Sequence, residues 1–143
     1  MSQIALNKED RRAAIIDMEK TILSLPQLSI EAKHYFAGGM YARELFMPKN
    51  SAFTGAIHTK EHFVNLIGDI SVATDEGVVR YTGYCTFTGV AGSKRAVFLH
   101  EDTVWTTFHV TDKITVSECE EDLTVSTYED FLQIVGGSKC LLV

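Results

Sequence analysis

Two hydrophobic rhythms divide this chain. Near its start Ala14, Ile15, Met18, Ile22 and Leu23 recur at three- and four-residue spacing, a stripe that predicts a helix over residues 8 to 25. Asn7 stands at the N-cap, Glu9 and Asp10 load the first turn, and Pro26 closes the segment. Residues 27 to 40 read as irregular and end on Gly38-Gly39. From Tyr41 to Val110 the spacing of apolar residues falls to two. Strands are predicted at 41–47, 53–57, 62–67, 70–73, 78–82, 84–88, 96–100 and 103–110, with a turn after Pro48, a tight hairpin turn at Gly68-Asp69 and another at Asp75-Glu-Gly77. Short strands rich in Val, Ile, Phe, Tyr and Thr, punctuated at this density, predict an antiparallel barrel or sandwich. The tail turns helical again. Ser117 with Glu120 three residues on has capping-box spacing, Val125 to Thr127 predict a break, and a second short helix runs from Thr127 to Gly136-Gly137.

This organisation predicts one structural domain: an N-terminal helix and arm (1–40), a β-barrel (41–112) and a helical tail (113–143). A chain of 143 residues, 45% hydrophobic and 22% charged, can bury a core without staples. Its net charge of −6 argues against nucleic acid or an anionic membrane as the main partner. Cys85, Cys119 and Cys140 are widely spaced, which reads as free thiols in a reducing compartment, Cys85 in the core and Cys140 exposed. Neither a membrane-length apolar run nor a signal-peptide core is present, so the expected location is the cytoplasm or a virion assembled there.

The chemistry concentrates in histidines. His58 and His62 lie four residues apart where one strand ends and the next begins, and Gly55 and the strand pattern deny them a shared helix face. His109 shares a strand face with Trp105 and Thr107 by alternation. If that face lines a barrel, the three rings form a site for Zn, Fe, Mn or Ni; the alternative is histidines held by backbone carbonyls or by Glu61. Arg95 beside Lys94 in a glycine loop can clamp a small carboxylate or phosphate, or else pair with Glu101 or Asp102. Trp105, Tyr81 and Tyr84 are expected to wall the core, with Trp105 and Tyr84 as candidate ligand contacts. His34 and His100 read as surface or structural residues. No arguable Ser/His/Asp order, phosphate-binding loop or dinucleotide fingerprint is present.

Several segments together carry a family resemblance: His34-Tyr-Phe-Ala-Gly-Gly39 with Tyr41-Ala-Arg43-Glu44; Thr54-Gly55, Ile57-His58 and Glu61-His62; Gly68-Asp69-Ile-Ser-Val72; Gly92-Ser-Lys94-Arg95; and Glu101 to His109. Through them the chain from Tyr41 to Asp112 resembles a small cupin domain, most of all the short cupin-like proteins encoded by tailed bacteriophages and their bacterial hosts. The resemblance implies a jelly-roll barrel. It also implies that His58 takes the second histidine position of the first cupin motif and His62 its carboxylate position, while Ala56 and Arg95 stand at the other two ligand positions. The primary functional reading is a non-catalytic phage accessory or virion-associated protein, acting through homo-oligomeric contacts, phage structural partners or a small anionic ligand. The stripe of Ile15, Met18 and Ile22 would cover the open sheet in such an oligomer. A metal-dependent dioxygenase, isomerase or hydrolase, and a sugar- or nucleotide-binding sensor, are the alternatives.

Overall fold

The structure, a computed structural model, describes residues 6–140, with side chains described through Val135. The expected exposure of the Cys140 side chain therefore lies outside the described side chains. Helix α1 (Lys8–Leu23) starts where its cap predicts, Asn7 Oδ1 accepting from the Asp10 amide at 2.8 Å. Its buried face differs from the predicted one. Ile15 is buried, but Met18 and Leu23 face solvent and Ala14 is exposed. The docked face carries Arg12, Ile15, Glu19 and Ile22, and two of these are charged. Arg12 Nε meets Asp75 at 2.8 Å, and Glu19 accepts from the buried Lys94 ammonium at 2.7 Å and from Thr54 Oγ1 at 2.7 Å. Ion pairs dock this helix as much as apolar burial does, which a hydrophobic periodicity cannot register.

Seven strands form one curled antiparallel sheet: β1 (Ala32–Ala37), β2 (Met40–Met47), β3 (Ala52–Thr54), β5 (His62–Thr74), β6 (Gly77–Gly89), β7 (Ala96–Leu99) and β8 (Thr103–Val110); β4 (Ile57–His58) pairs with β9 (Thr124–Val125) in a separate ribbon. The sheet curls into a half-barrel, not a closed barrel, with β1, β3 and β6 as its edge strands. Strand β1 lies inside the segment read as irregular. Gly38 and Gly39, at φ 57° and 74°, make a two-residue hairpin turn joining Ala37 to Met40, so the glycines link two strands instead of preceding the first.

The predicted hairpin at Gly68-Asp69 is the main error of strand assignment. Residues 62–74 form one continuous strand, and the glycine sits inside it with φ 154°. There β5 changes partners, pairing β8 through Phe63–Ile67 and β7 through Ile70–Ala73, while β6 runs along its other side throughout. A Cβ at position 68 would collide with the Thr103 side chain and lie 2.8 Å from Thr103 Cα. Glycine is required by a close approach, not by a turn.

Alternation along β5 and β8 buries Val64, Leu66, Ile70, Val72 and Trp105 in the concave core with Met47, Val97 and Leu99. Tyr81 and Cys85 pack against that core. Tyr84 does not wall it: opposite Ile67, it points to the convex face and is 72% exposed. The tail closes one side of the hollow. Helix α2 (Val116–Leu123) is capped by Thr115 and Glu118, two residues before the predicted box, and Cys119 and Leu123 pack on Tyr41. After the expected break, α3 (Tyr128–Cys140) starts behind a Thr127 cap and continues through Gly136-Gly137.

Gly68→Ala is expected to destabilise the protein by about 2–4 kcal/mol, from overpacking plus backbone strain. A urea unfolding midpoint unchanged from wild type would show that β5 and β8 are not held this close.

Candidate functional site

The concave face of the sheet, β4 and α2 line an open cavity of about 490 Å³. Its walls are largely apolar, with Leu45, Met47, Phe53, Val97 and Trp105 among them. Polar groups gather at one end. Tyr41 and Arg43 come from β2, Thr107 and His109 from β8, His58 from β4 and Arg95 from the approach to β7. Register explains the cluster: Tyr41 lies opposite His109, Arg43 opposite Thr107, and Val64 links Thr107 to the His62 face of β5. His58 is fixed by its backbone. Its amide donates to Ser93 O at 3.1 Å, its carbonyl accepts from Gly92 N at 2.7 Å, and it pairs with Thr124 of β9.

The three rings meet as a stack. Centroids of His58 and His62 lie 4.1 Å apart, His62 and His109 4.6 Å, and His58 and His109 5.3 Å. One ring nitrogen from each lies within 4.8 Å of the others. His62 and His109 are each 4% exposed. Burial holds all three imidazoles neutral: His58 is pushed down to about 2, with the neighbouring His62 and Arg95 adding to the effect, and His62 and His109 to about 4. Neutral imidazole is the form that ligates metal.

Their hydrogen bonds differ in a way that matters. His62 donates Nδ1–H to the Lys60 carbonyl at 2.9 Å, so its Nε2 carries the lone pair and accepts from Arg95 Nη2 at 2.9 Å. Nδ1 of His58 and Nδ1 of His109 are buried without a hydrogen-bond partner among the described residues. Those two orphaned nitrogens and the outer-shell carbonyl on His62 fit a metal site. Glu61 plays no part in holding the rings. An ion held there would compete with Arg95 for the His62 lone pair.

Arg95 is itself 7% exposed, its guanidinium 5.5 Å from the Trp105 ring centroid and 6.0 Å from that of Phe87. Neither Glu101 nor Asp102 pairs with it. Glu101 lies 3.8 Å from Lys49 Nζ, and Asp102 accepts from the Lys49 amide at 2.8 Å. Lys94 turns away from the cavity to Glu19 and the Gly55 carbonyl, 2.8 Å away, so the adjacent basic pair is split between α1 and the cavity. Tyr84 lies on the opposite face of the sheet. His34 shares a 2.6 Å hydrogen bond with Tyr41, and His100 one of 2.7 Å with Ser71, both structural roles.

Two residues at the site escaped sequence reasoning. Gly89 lies opposite His62, and a Cβ there would overlap both Arg95 Nη2 and His62 Nε2, so this glycine makes room for their contact. Arg43 lines the cavity because its register brings it across from Thr107. The alternation of β2 was the available signal for Arg43; Gly89 needed the β5–β6 register.

No protein-family model and no curated protein matches the chain. Solved structures match its fold. A cupin superfamily protein from Desulfitobacterium hafniense is similar over 62% of this chain and 83% of its own, at TM-score 0.50 and 6% identity. An acetylacetone dioxygenase from Acinetobacter johnsonii is similar over 59% and 61% at TM-score 0.50 and 13% identity, and an HTH_3 family transcriptional regulator from Vibrio cholerae over 60% and 53% at 0.50 and 12%. Likeness at these identities concerns architecture alone, and the architecture is the cupin fold.

Buried neutral histidines make a pH prediction for the metal-free protein. Unfolded histidine takes up its proton near pH 6.5, whereas His62 and His109 in the fold resist protonation down to about 4. Their contribution is complete above about pH 6.5 and is lost as pH falls toward 4, each by up to about 1.4 kcal/mol per pH unit. Urea midpoints should fall steadily from pH 6.5 to 5, and His109→Gln should flatten that slope. A slope that His109→Gln leaves unchanged would contradict the neutral cluster.

Proposed function

We propose that this cupin-fold protein binds a divalent metal ion on His58, His62 and His109 at the polar end of its cavity. The supporting observation is the convergence of three neutral imidazoles, two buried and one half-buried, of which two have a nitrogen with no partner among the described residues. Imidazole–zinc bonds of about 2.0–2.1 Å require the ligating nitrogens to draw together by up to about 1.5 Å and the rings, now within 27° of parallel, to turn so that their in-plane lone pairs converge. Three protein ligands with further positions open are the arrangement of metal sites that act on small molecules, and a bound ion would supply Lewis acidity there. The chain contributes the rest. Lys60 O fixes the His62 tautomer, the apolar walls adjoin the site, and Arg95 places a fixed positive charge beside the ligands.

Zinc titration of protein purified without an affinity tag tests this reading. Wild type should bind one equivalent, and His109→Ala should lose tight binding while keeping the fold. Arg95→Gln should bind about tenfold tighter or better, because it removes both a competitor for His62 Nε2 and a nearby cation. Wild-type binding no tighter than the high micromolar range would end the metal reading.

A second reading, a non-catalytic accessory protein of tailed phages acting through self-association, draws support from the convex face of the sheet. Phe46, Phe63, Ile67 and Tyr84 stand there 53–72% exposed, beside the free β6 edge. This face replaces the α1 stripe as the expected contact, since Ile15 is spent on the chain's own sheet. Light scattering in the micromolar range should then give at least twice 15.9 kDa. A monomer mass throughout would remove this reading.

A further inference from the structure

The cavity holds a cation without a counter-charge. Arg95 is buried, lines the hollow and, among the described residues, has no acidic side chain within salt-bridge distance; Arg43, which is solvent-exposed, also lines the hollow and also lacks an acidic partner among the described residues. Proteins pair their buried charges, because an isolated ion out of water is expensive. The other basic residue of the loop obeys this rule: Lys94, 3% exposed, is neutralised by Glu19. Arg95 spends one N–H on His62 Nε2 and keeps the remaining guanidinium donors. The one acid on the cavity wall, Glu120, is solvent-exposed on α2. Beyond the polar end the walls are Leu45, Met47, Phe53, Val97 and Trp105, which suit an apolar body.

We infer that the cavity binds a small monocarboxylate with an apolar or aromatic body, its carboxylate on Arg95 and Arg43 and its body against Trp105 and the apolar walls. This rests on the reading of the cavity as a ligand site and adds the class of ligand. A carboxylate fits better than a phosphate because one deeply buried guanidinium can match a single charge through a two-pronged contact, whereas a phosphate brings up to two charges into a mostly apolar space.

The test uses the full-length, metal-free protein, titrated calorimetrically with hexanoate, with its neutral analogue hexanamide and with inorganic phosphate. Hexanoate should bind saturably and at least tenfold more tightly than hexanamide or phosphate. Arg95→Gln should weaken hexanoate binding at least tenfold, and Arg43→Gln should weaken it by a smaller factor. Circular dichroism and the thermal midpoint establish that each variant is folded; if Arg95→Gln is not, Arg43→Gln and the wild-type preference for hexanoate over hexanamide decide. Equal binding of hexanoate and hexanamide, tighter binding of phosphate, or no hexanoate binding below about 10 mM would each overturn the inference. The zinc titration is independent: zinc uptake without hexanoate binding sinks the carboxylate site alone, and hexanoate binding without zinc uptake upholds it while removing the metal.

Discussion

Everything in this molecule depends on one strand serving two ladders. β5 gives the first half of one edge to β8 and the second half to β7, keeping β6 along the other. The partners change at Gly68, whose missing side chain lets Thr103 approach the strand's backbone. The curl that results turns one face of β2, β5 and β8 inward around a hollow, and the N-terminal end of β5 carries His62 to its rim. Replacing the supposed turn with a continuous strand thus changes more than a boundary. A hairpin at Gly68 would have divided the core residues Val64 and Leu66 from Ile70 and Val72 between two strands, whereas one strand buries all four on a single face.

The apolar walls then set the chemistry of the polar end. Low polarity penalises any charged form, and its effect depends on what each side chain can give up. The histidines lose their protons and become neutral ligands. Arg95 is also pushed down, to about 10, but remains charged at neutral pH. The same burial that prepares the imidazoles for a cation leaves a guanidinium in want of an anion. The two tendencies meet on one atom, His62 Nε2, which Arg95 occupies at 2.9 Å through space that Gly89 leaves open.

Sequence periodicity read strands well where one face is buried and the other is not. β8 begins and ends as expected, and His109 falls on the inward face with Trp105 and Thr107 because a period of two leaves no other choice. It failed where a residue's role comes from a distant partner. Gly68 looks like a turn until Thr103 is beside it, and Gly38-Gly39 looks like a boundary until β1 is paired with β2. Thr115 and Ser117 both precede a glutamate by three residues, so spacing alone could not choose the cap. The histidines were legible as a group; the separation of Lys94 from Arg95 was not, since it turns on Glu19 in α1, 75 residues away.

That separation carries the last step. Two adjacent cations follow opposite courses: one is neutralised within the chain and helps to dock a helix, and the other lines a cavity with no acidic partner among the described residues. If Arg95 served only packing, an apolar side chain between Phe87 and Trp105 would fill the space without the cost of burying a charge. An anion from outside the chain, as inferred above, would meet the charge that His62 and the two rings leave uncompensated. An ion taking the His62 lone pair would also free Arg95 to turn all its donors toward the hollow. Metal and carboxylate would then assist each other, because each relieves a constraint that the other would face alone.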